Sequence, residues 1–399
     1  MRVLFIVKEF PHSRVIGGPI IIYNRVKYLS KRHEVSLIAF AKDPTQEEIS
    51  SVAGYCRDLG LVPPPPERSV IRKTRDLISG PVPPYFMLSY SDDMYRKLRE
   101  MVNALHYDVV ISEYSMVAQY LYRNPDLSGI KRVMSVHECY WLSRRMAFKL
   151  NSLNREGLLA LYHLKGLKRF EFDMYADADK LLTLTPEGKE ELLAIRPDLD
   201  ISVVPHGVDV DSFCPAERKD GPPTVMFLGN YPHDPNRDAA VFFGTRVWPI
   251  IRKEVPDGRF LAVGRGPTAD MLQVAERDPS IRITGEVDDV RPFFYESDVF
   301  VCPVRMGGGF RGKVLEAMAS GVPVVSTALG AEGIPARSGE NMLLAESPEE
   351  IARATLDLLG DKDLAGRLSK NARQLVVEDF SWQKGVEILE EVLGEVVRG

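Results

Sequence analysis

Short apolar runs of strand length alternate with segments of helical period along this chain, and they do so in two separate series. The first series contains Val3–Val7, Val35–Ile38, Val109–Ser112 and Val133–Val136, with KLLTLT and ISVVP near its end. The second restarts at TVMFLGN and continues through FLAVG, IRITG, VFVCPV and PVVST. Runs of this length with little alternation suit strands buried on both faces, and helical segments between them suit crossover connections, so the pattern predicts α/β domains with parallel sheets. Between the series lies HGVDVDSFCPAERKDGPP, rich in Pro, Gly and charge, which places a domain boundary near residues 205 and 206. The final stretch, residues 381–399, carries apolar residues at helical spacing: Val386, Leu389, Val392 and Val396.

The chain has 399 residues, enough for two to three domains, with an ordinary 45% hydrophobic and 27% charged composition. A net charge of -5 gives no global reason to expect a nucleic-acid partner. Cys56, Cys139, Cys214 and Cys302 are far apart and lack metal-ligand or disulfide-framework spacing, which fits a reducing cytosol. In MRVLFIVKEF the apolar core spans only Val3 to Val7 before Lys8 and Glu9, too short for a signal peptide or a membrane span. A cytoplasmic protein is the expectation.

The stretch VRMGGGFRGKVLEAMASGVPVVSTALGAEGI, from Val304 to Ile334, joins three features that one sugar-nucleotide site needs. Gly307, Gly308 and Gly309 allow positive φ and a close backbone approach to an anion. Arg311 and Lys313 follow at alternate positions, and LEAMASG reads as a helix stopped at Gly321. Glu316 is expected in the first turn of that helix, where its carboxylate would accept two ribose hydroxyl protons. The loop precedes a helix whose amides and dipole favour phosphate.

The whole string resembles the C-terminal signature of the retaining group-1 (family 4) glycosyltransferases, and the resemblance spans nearly the whole chain. It implies a GT-B fold, two Rossmann-like domains facing each other across a cleft, with residues 1–205 on the acceptor side and 206–380 binding the nucleotide sugar. The helix in 381–399 would return to the first domain. That class carries two glutamates eight positions apart; here the second is Glu316 and the first falls on Gly308. The resemblance further implies roles residue by residue. Gly17 and Gly18 would lie against the donor diphosphate, and they do not form the GxGxxG of a nicotinamide dehydrogenase. His137, in RVMSVHE, would touch the donor sugar, and Glu113 would face the acceptor. Gly229 would sit at the first turn of the second domain, where relatives follow with an Arg and later a Lys; this chain has Asn230 and Asn236 there. Arg311 and Lys313 would replace those two cations. Gly264, in AVGRGP, and Glu286 and Val287, in ITGEVDDV, would enclose the nucleotide, and the amides of Gly307 to Phe310 would hold the donor sugar.

A nucleotide-diphosphate sugar is thus the expected donor substrate, with no cofactor and no metal required. Asp209-x-Asp211 looks like a metal-binding pair, but its hinge context, VVPHGVDVDSF, favours a structural part. The acceptor would be a glycan, a lipid-linked species or a small molecule. From Arg144 to Arg169 seven basic side chains face Glu156 alone, with leucines interleaved. That stretch fits either a solvated helix or a peripheral contact with anionic lipid, which would place the protein at the inner face of the membrane. Gly308, Asn230 and Asn236 also leave open a non-catalytic sugar- or nucleotide-binding relative.

Overall fold

The first apolar run forms strand β1 (Arg2–Val7), whose side chains alternate between two cores: Val3, Phe5 and Val7 enter one, Leu4 and Ile6 the other. A strand buried on both faces needs covering elements on both sides, which is the α/β arrangement that continuous apolar runs predict. The computed structural model describes residues 1–12, 18–67, 69, 80–150, 155–217, 221–307 and 309–399. Gly17 and Gly308, both singled out above, fall outside them. The chain divides into two compact units, Met1–Pro205 with Val386–Gly399, and His206–Gly385.

The first unit holds β1, β2 (Glu34–Phe40), β3 (Leu59–Val62), β4 (Val109–Glu113), β5 (Lys131–Val136), β6 (Lys180–Thr183) and β7 (Ile201–Val203). They pair in parallel in the order β3-β2-β1-β4-β5-β6-β7. The second unit holds β8 (Thr224–Leu228), β9 (Arg259–Val263), β10 (Ile281–Ile283), β11 (Val299–Cys302), β12 (Val324–Ser326) and β13 (Leu343–Leu344). Their parallel order is β10-β9-β8-β11-β12-β13. The two apolar series of the sequence therefore become two sheets. Strands β3 and β13 escaped the sequence reading because both are short sheet edges: β3 buries only alternate residues, and β13 has two residues in all.

Two crossings of the chain join the units, and Gly207 and Trp382 mark where they run side by side. A Cβ on Gly207 would stand 2.5 Å from the Trp382 ring, while Val208 donates its amide to the Phe380 carbonyl at 2.8 Å. Asp209 caps the turn that follows, accepting from the Ser212 amide at 3.0 Å and its hydroxyl at 2.8 Å. The helix Trp382–Arg398 then buries Val386, Leu389, Val392 and Leu393 in the first unit's core beside Val3 and Phe5. Glu390 on the same helix pairs with Arg32 at 2.5 Å and His33 at 2.9 Å.

Leu389 is fully buried, so Leu389→Ala is expected to cost about 2–5 kcal/mol of unfolding free energy. Exposed Glu391 on the same helix should change stability by less than about 0.5 kcal/mol when replaced by Ala. Denaturant titration of the two variants checks the contrast, and equal stabilities would show that the helix is not docked through this face.

Candidate functional site

In each sheet the strand order reverses once, between β1 and β4 and between β8 and β11. Helices leave such a pair on opposite faces, so a crevice opens beyond the carboxyl ends of these strands, and open α/β sheets bind ligands there. Most residues singled out from the sequence lie at these two places. Gly18 follows β1, Glu113 ends β4 and His137 follows β5. In the second unit, Gly229 and Asn230 follow β8, Gly264 follows β9, and the glycine loop with Arg311 and Lys313 follows β11.

The glycine loop takes the backbone shape that its composition requires. Gly307 and Gly309 have φ of +77° and +96°, the left-handed region that L side chains rarely adopt. Arg311 braces this loop from inside: its guanidinium donates to the Gly307 carbonyl at 2.8 Å and to the Gly309 carbonyl. The Gly309 amide donates in turn to the Glu332 carboxylate at 3.2 Å. Arg311 thus spends donors on the loop's own carbonyls, and the Gly309 amide, one of those expected at the donor, donates to Glu332. Phe310 acts as an anchor, its ring stacked on His206 at 5.2 Å and 8° and lying 6.1 Å from Phe380.

The helix Gly312–Ala319 ends as the sequence predicts. Gly321 has φ +74°, its amide donates to Met318 at 3.1 Å, and the Val322 amide donates to Ala317 at 3.0 Å. These two bonds form a Schellman cap. Because the helix begins at Gly312, however, Glu316 is its fifth residue and lies beyond the first turn. The placement puts Glu316 three residues after Lys313 and hence on the same face. Burial raises the Glu316 carboxyl to about 7, with Lys313 opposing the rise. Burial likewise lowers the Lys313 ammonium to about 8. Among the described residues no hydrogen bond or ion pair engages the Glu316 carboxylate, which leaves its acceptors unclaimed.

Asn236 and Asn230 are each bonded to a cation from another element. Lys313 Nζ donates to Asn236 Oδ1 at 2.6 Å and lies 4.5 Å from the Phe227 ring centre. Arg265 Nε donates to Asn230 Oδ1 at 3.1 Å. The two asparagines are themselves linked, Asn236 Nδ2 to the Asn230 carbonyl at 3.0 Å. Each asparagine thus carries a cation: Lys313 on Asn236, and on Asn230 Arg265, which the sequence did not single out. Close backbone packing makes this possible: a Cβ on Gly264 (φ +132°) would fall 1.9 Å from the Gly229 carbonyl oxygen. The signal available in the sequence was the basic residue between the two glycines of AVGRGP. On the neighbouring loop Glu286 is exposed and Val287 packs against the core.

In the first unit the cluster is a buried charge network. Arg25 Nη1 donates to both Glu113 oxygens, at 2.8 and 2.9 Å, and to Ser135 Oγ at 3.0 Å. Its other nitrogen donates to the Val204 carbonyl at 3.3 Å. Burial works against the Glu113 charge, but Arg25 and His137 outweigh it and hold the carboxyl down at about 2. Glu113 is thus fully enclosed and does not face an acceptor, contrary to expectation. His137 Nε2 lies 2.8 Å from Glu113. Burial lowers the imidazole's pKa, with Glu113 opposing, so the ring is neutral, donates from Nε2 and keeps Nδ1 as an acceptor. Tyr114 covers this imidazole with centroids 4.2 Å apart, from a backbone at φ +75° that is costly for a tyrosine. Its hydroxyl approaches Gly18 so closely that a Cβ there would sit 1.7 Å away. Gly18 is therefore a packing requirement of Tyr114, whatever else it contacts.

Comparison with known proteins gives this geometry a family. A glycosyltransferase family 4 model matches residues 16–212, and a model described as glycosyl transferases group 1 matches residues 222–361. An uncharacterized 44.6 kDa protein in the cps region of Klebsiella pneumoniae is 23% identical over 96% of this chain and 97% of its own. A phosphatidyl-myo-inositol mannosyltransferase of Mycobacterium tuberculosis is 36% identical, over 39% of this chain and 43% of its own length. The solved structure of Anabaena HepE in complex with UDP superposes with a TM-score of 0.71 at 12% identity, over 99% of this chain and all of that one, which shows a shared fold. With two parallel α/β units in GT-B style and both family models matching in sequence order, the chain belongs to the group 1, family 4 glycosyltransferases.

Proposed function

We propose that this glycosyltransferase moves a sugar from a nucleotide-diphosphate donor to a glycan, lipid-linked or small-molecule acceptor, with retention at the anomeric carbon. The observation that carries the donor half is the pair of cations, Lys313 and Arg265, held on Asn236 and Asn230 at the β8/β11 reversal. Side-chain cations there meet the charge that grows on a departing diphosphate, so the reading assigns the reaction no metal. Glu316, on the Lys313 face and with free acceptors, takes the ribose hydroxyls. A mannosyltransferase relative and a fold neighbour bound to UDP support a sugar-nucleotide donor.

The chemistry follows from positioning. As the glycosidic bond breaks, the bond's electron pair goes to the leaving phosphate oxygen, and the acceptor hydroxyl attacks from the same face while that oxygen takes its proton. No protein nucleophile is needed. Gly307 and Gly309, set by Arg311 and Glu332, shape the backbone around the donor. In the first unit Glu113 accepts from His137 Nε2 at 2.8 Å and leaves Nδ1 of that imidazole to accept from a sugar hydroxyl. The direct test is a thermal-shift screen with UDP-, GDP- and ADP-sugars, followed by an assay of nucleotide release with and without acceptor. Binding without any release, even by slow hydrolysis, would make the chain a binding protein. No binding at all would overturn the donor assignment.

Glu316→Ala should weaken nucleotide affinity by roughly 1.5–3 kcal/mol, the range for hydrogen bonds to a charged group, with the fold retained. Calorimetry on the folded variant checks this, and unchanged affinity removes the ribose assignment.

Arg265→Ala and Lys313→Ala should each lower turnover by about tenfold to a hundredfold, with a smaller change in donor binding, because their partner's charge increases in the transition state. Arg265→Ala is the sharper case, since only its side-chain placement recommends it. Steady-state kinetics with normal turnover in that variant would return Arg265 to a structural part.

Nucleotide affinity should also peak between about pH 7 and 8. Below the peak Glu316 protonates and loses an acceptor; above it Lys313 loses its charge. A bound diphosphate raises the Lys313 pKa and ribose hydroxyls lower that of Glu316, so binding takes up a proton on the alkaline side and releases one on the acid side. Titration calorimetry in buffers of different ionisation enthalpy reads both directions. A flat affinity from about pH 6 to 9 would disconnect these two groups from the ligand.

A further inference from the structure

Among the described residues eight large apolar side chains stand exposed, and four of them fall together on the helices Tyr140–Leu150 and Arg155–Leu164. They are Met146, Leu158, Leu159 and Leu161, with 57%, 67%, 49% and 51% of their surface open. The second helix is inverted relative to an ordinary surface helix: it buries Ala160 and His163, the latter edge-on to Tyr85 at 5.1 Å, and turns its leucines outward. Leu158, Leu161, Tyr162 and Lys165 recur at helical spacing and, with Leu164, line one shallow groove.

The base of this surface is well anchored. Buried Glu171 accepts the Tyr140 and Trp141 amides at 2.9 and 2.8 Å, and so caps the first helix from outside it. Arg145 and Lys168 both lie over the Trp141 ring, at 5.2 and 4.6 Å, and both are exposed. Arg144 is turned inward onto Tyr85 at 5.4 Å, so among the described side chains the outward charge comes from Arg145, Lys165, Lys168 and Arg169. Arg169 is also within 3.7 Å of Asp173.

We propose that this leucine and lysine surface docks on an anionic lipid bilayer, with Leu158, Leu159, Leu161 and Met146 entering the boundary between headgroups and acyl chains and Arg145, Lys165 and Lys168 meeting lipid phosphates. Charge decides the occupant. From Arg144 to Arg169 basic residues outnumber acidic ones seven to one in a chain of net charge -5. A second copy laid symmetrically on this face would therefore set like charges against each other. An anionic membrane offers both the apolar layer and the opposite sign. The contact is peripheral, since no described helix is long and apolar enough to cross a membrane. It does not depend on the donor assignment, because none of these side chains belongs to the nucleotide cluster.

The test is flotation of the purified full chain with phosphatidylcholine vesicles, with and without phosphatidylglycerol. Binding is expected only with phosphatidylglycerol, and it should fall as salt rises. Leu158→Ser with Leu161→Ser should lower vesicle partitioning at least about tenfold, and Lys165→Glu with Lys168→Glu should do the same. Both double variants should keep the parent's thermal midpoint and nucleotide affinity. Absence of vesicle binding in the parent overturns the proposal. So does parental binding by the leucine variant, or self-association of the parent that the leucine substitutions abolish. Loss of nucleotide binding in the parent would instead fault the donor assignment and leave this result standing.

Discussion

Both sheets reverse their strand order beside their first strand, and this single constraint decides where chemistry can be placed. Parallel strands must be joined across a sheet face, so the connections leaving β1 and β4, or β8 and β11, depart on opposite sides and leave room beyond the strand ends. That room is kept by glycine. Gly18 gives way to Tyr114 in the first unit, and Gly264 gives way to the Gly229 carbonyl in the second. In both cases the missing side chain lets two neighbouring segments meet, and the hydrogen-bonded side chains His137 and Asn230 stand beside the contacts.

The first unit then carries a cost that its core alone does not explain. Arg25 and Glu113 are almost completely buried, and a buried pair often does no better for stability than apolar residues of similar volume. Tyr114, next in the chain, adds strain through its positive φ. What the pair does secure is a defined imidazole: an ionised Glu113 can only accept, so His137 presents hydrogen at Nε2 and a lone pair at Nδ1. Ser135 and the Val204 carbonyl also accept from Arg25 and tie β5 and the segment after β7 to the same network. Cost and strain concentrated around one imidazole are better understood as positioning than as stabilisation.

How much of this was legible depended on whether the governing contacts were local. The strands at Val3–Val7, Val109–Ser112 and PVVST announced themselves because burial on both faces leaves an uninterrupted apolar run, and the glycines around 307 because positive φ admits little else. The end of the Gly312–Ala319 helix was readable from Gly321. Its beginning was not, because no capping side chain marks it, and Glu316 was consequently placed one turn too early. Arg265 and Glu332 were missed for a different reason. Their partners are 35 and 23 residues away along the chain, and no periodicity records a bond between loops that only the sheet brings together. Glu113 was misjudged in the same way, since its partner Arg25 is 88 residues distant.

The asparagines of the second unit hold their cations without neutralising them. On this face other arginines are neutralised by carboxylates: Arg237 by Asp270 at 2.8 Å, Arg305 by Asp238 at 2.7 Å, Arg291 by Asp289 at 2.8 Å. Arg265 and Lys313 are held by amide oxygens instead, and no described carboxylate lies within ion-pair distance of either. An amide fixes the direction of a cation without cancelling its charge, so both keep their attraction for an anion. An aspartate at position 230 or 236 would orient the same side chains equally well and leave nothing for a diphosphate to bind. Asparagine at both positions is therefore compatible with a phosphate site, through Lys313, which the sequence offered as a replacement cation, and through Arg265, which it did not.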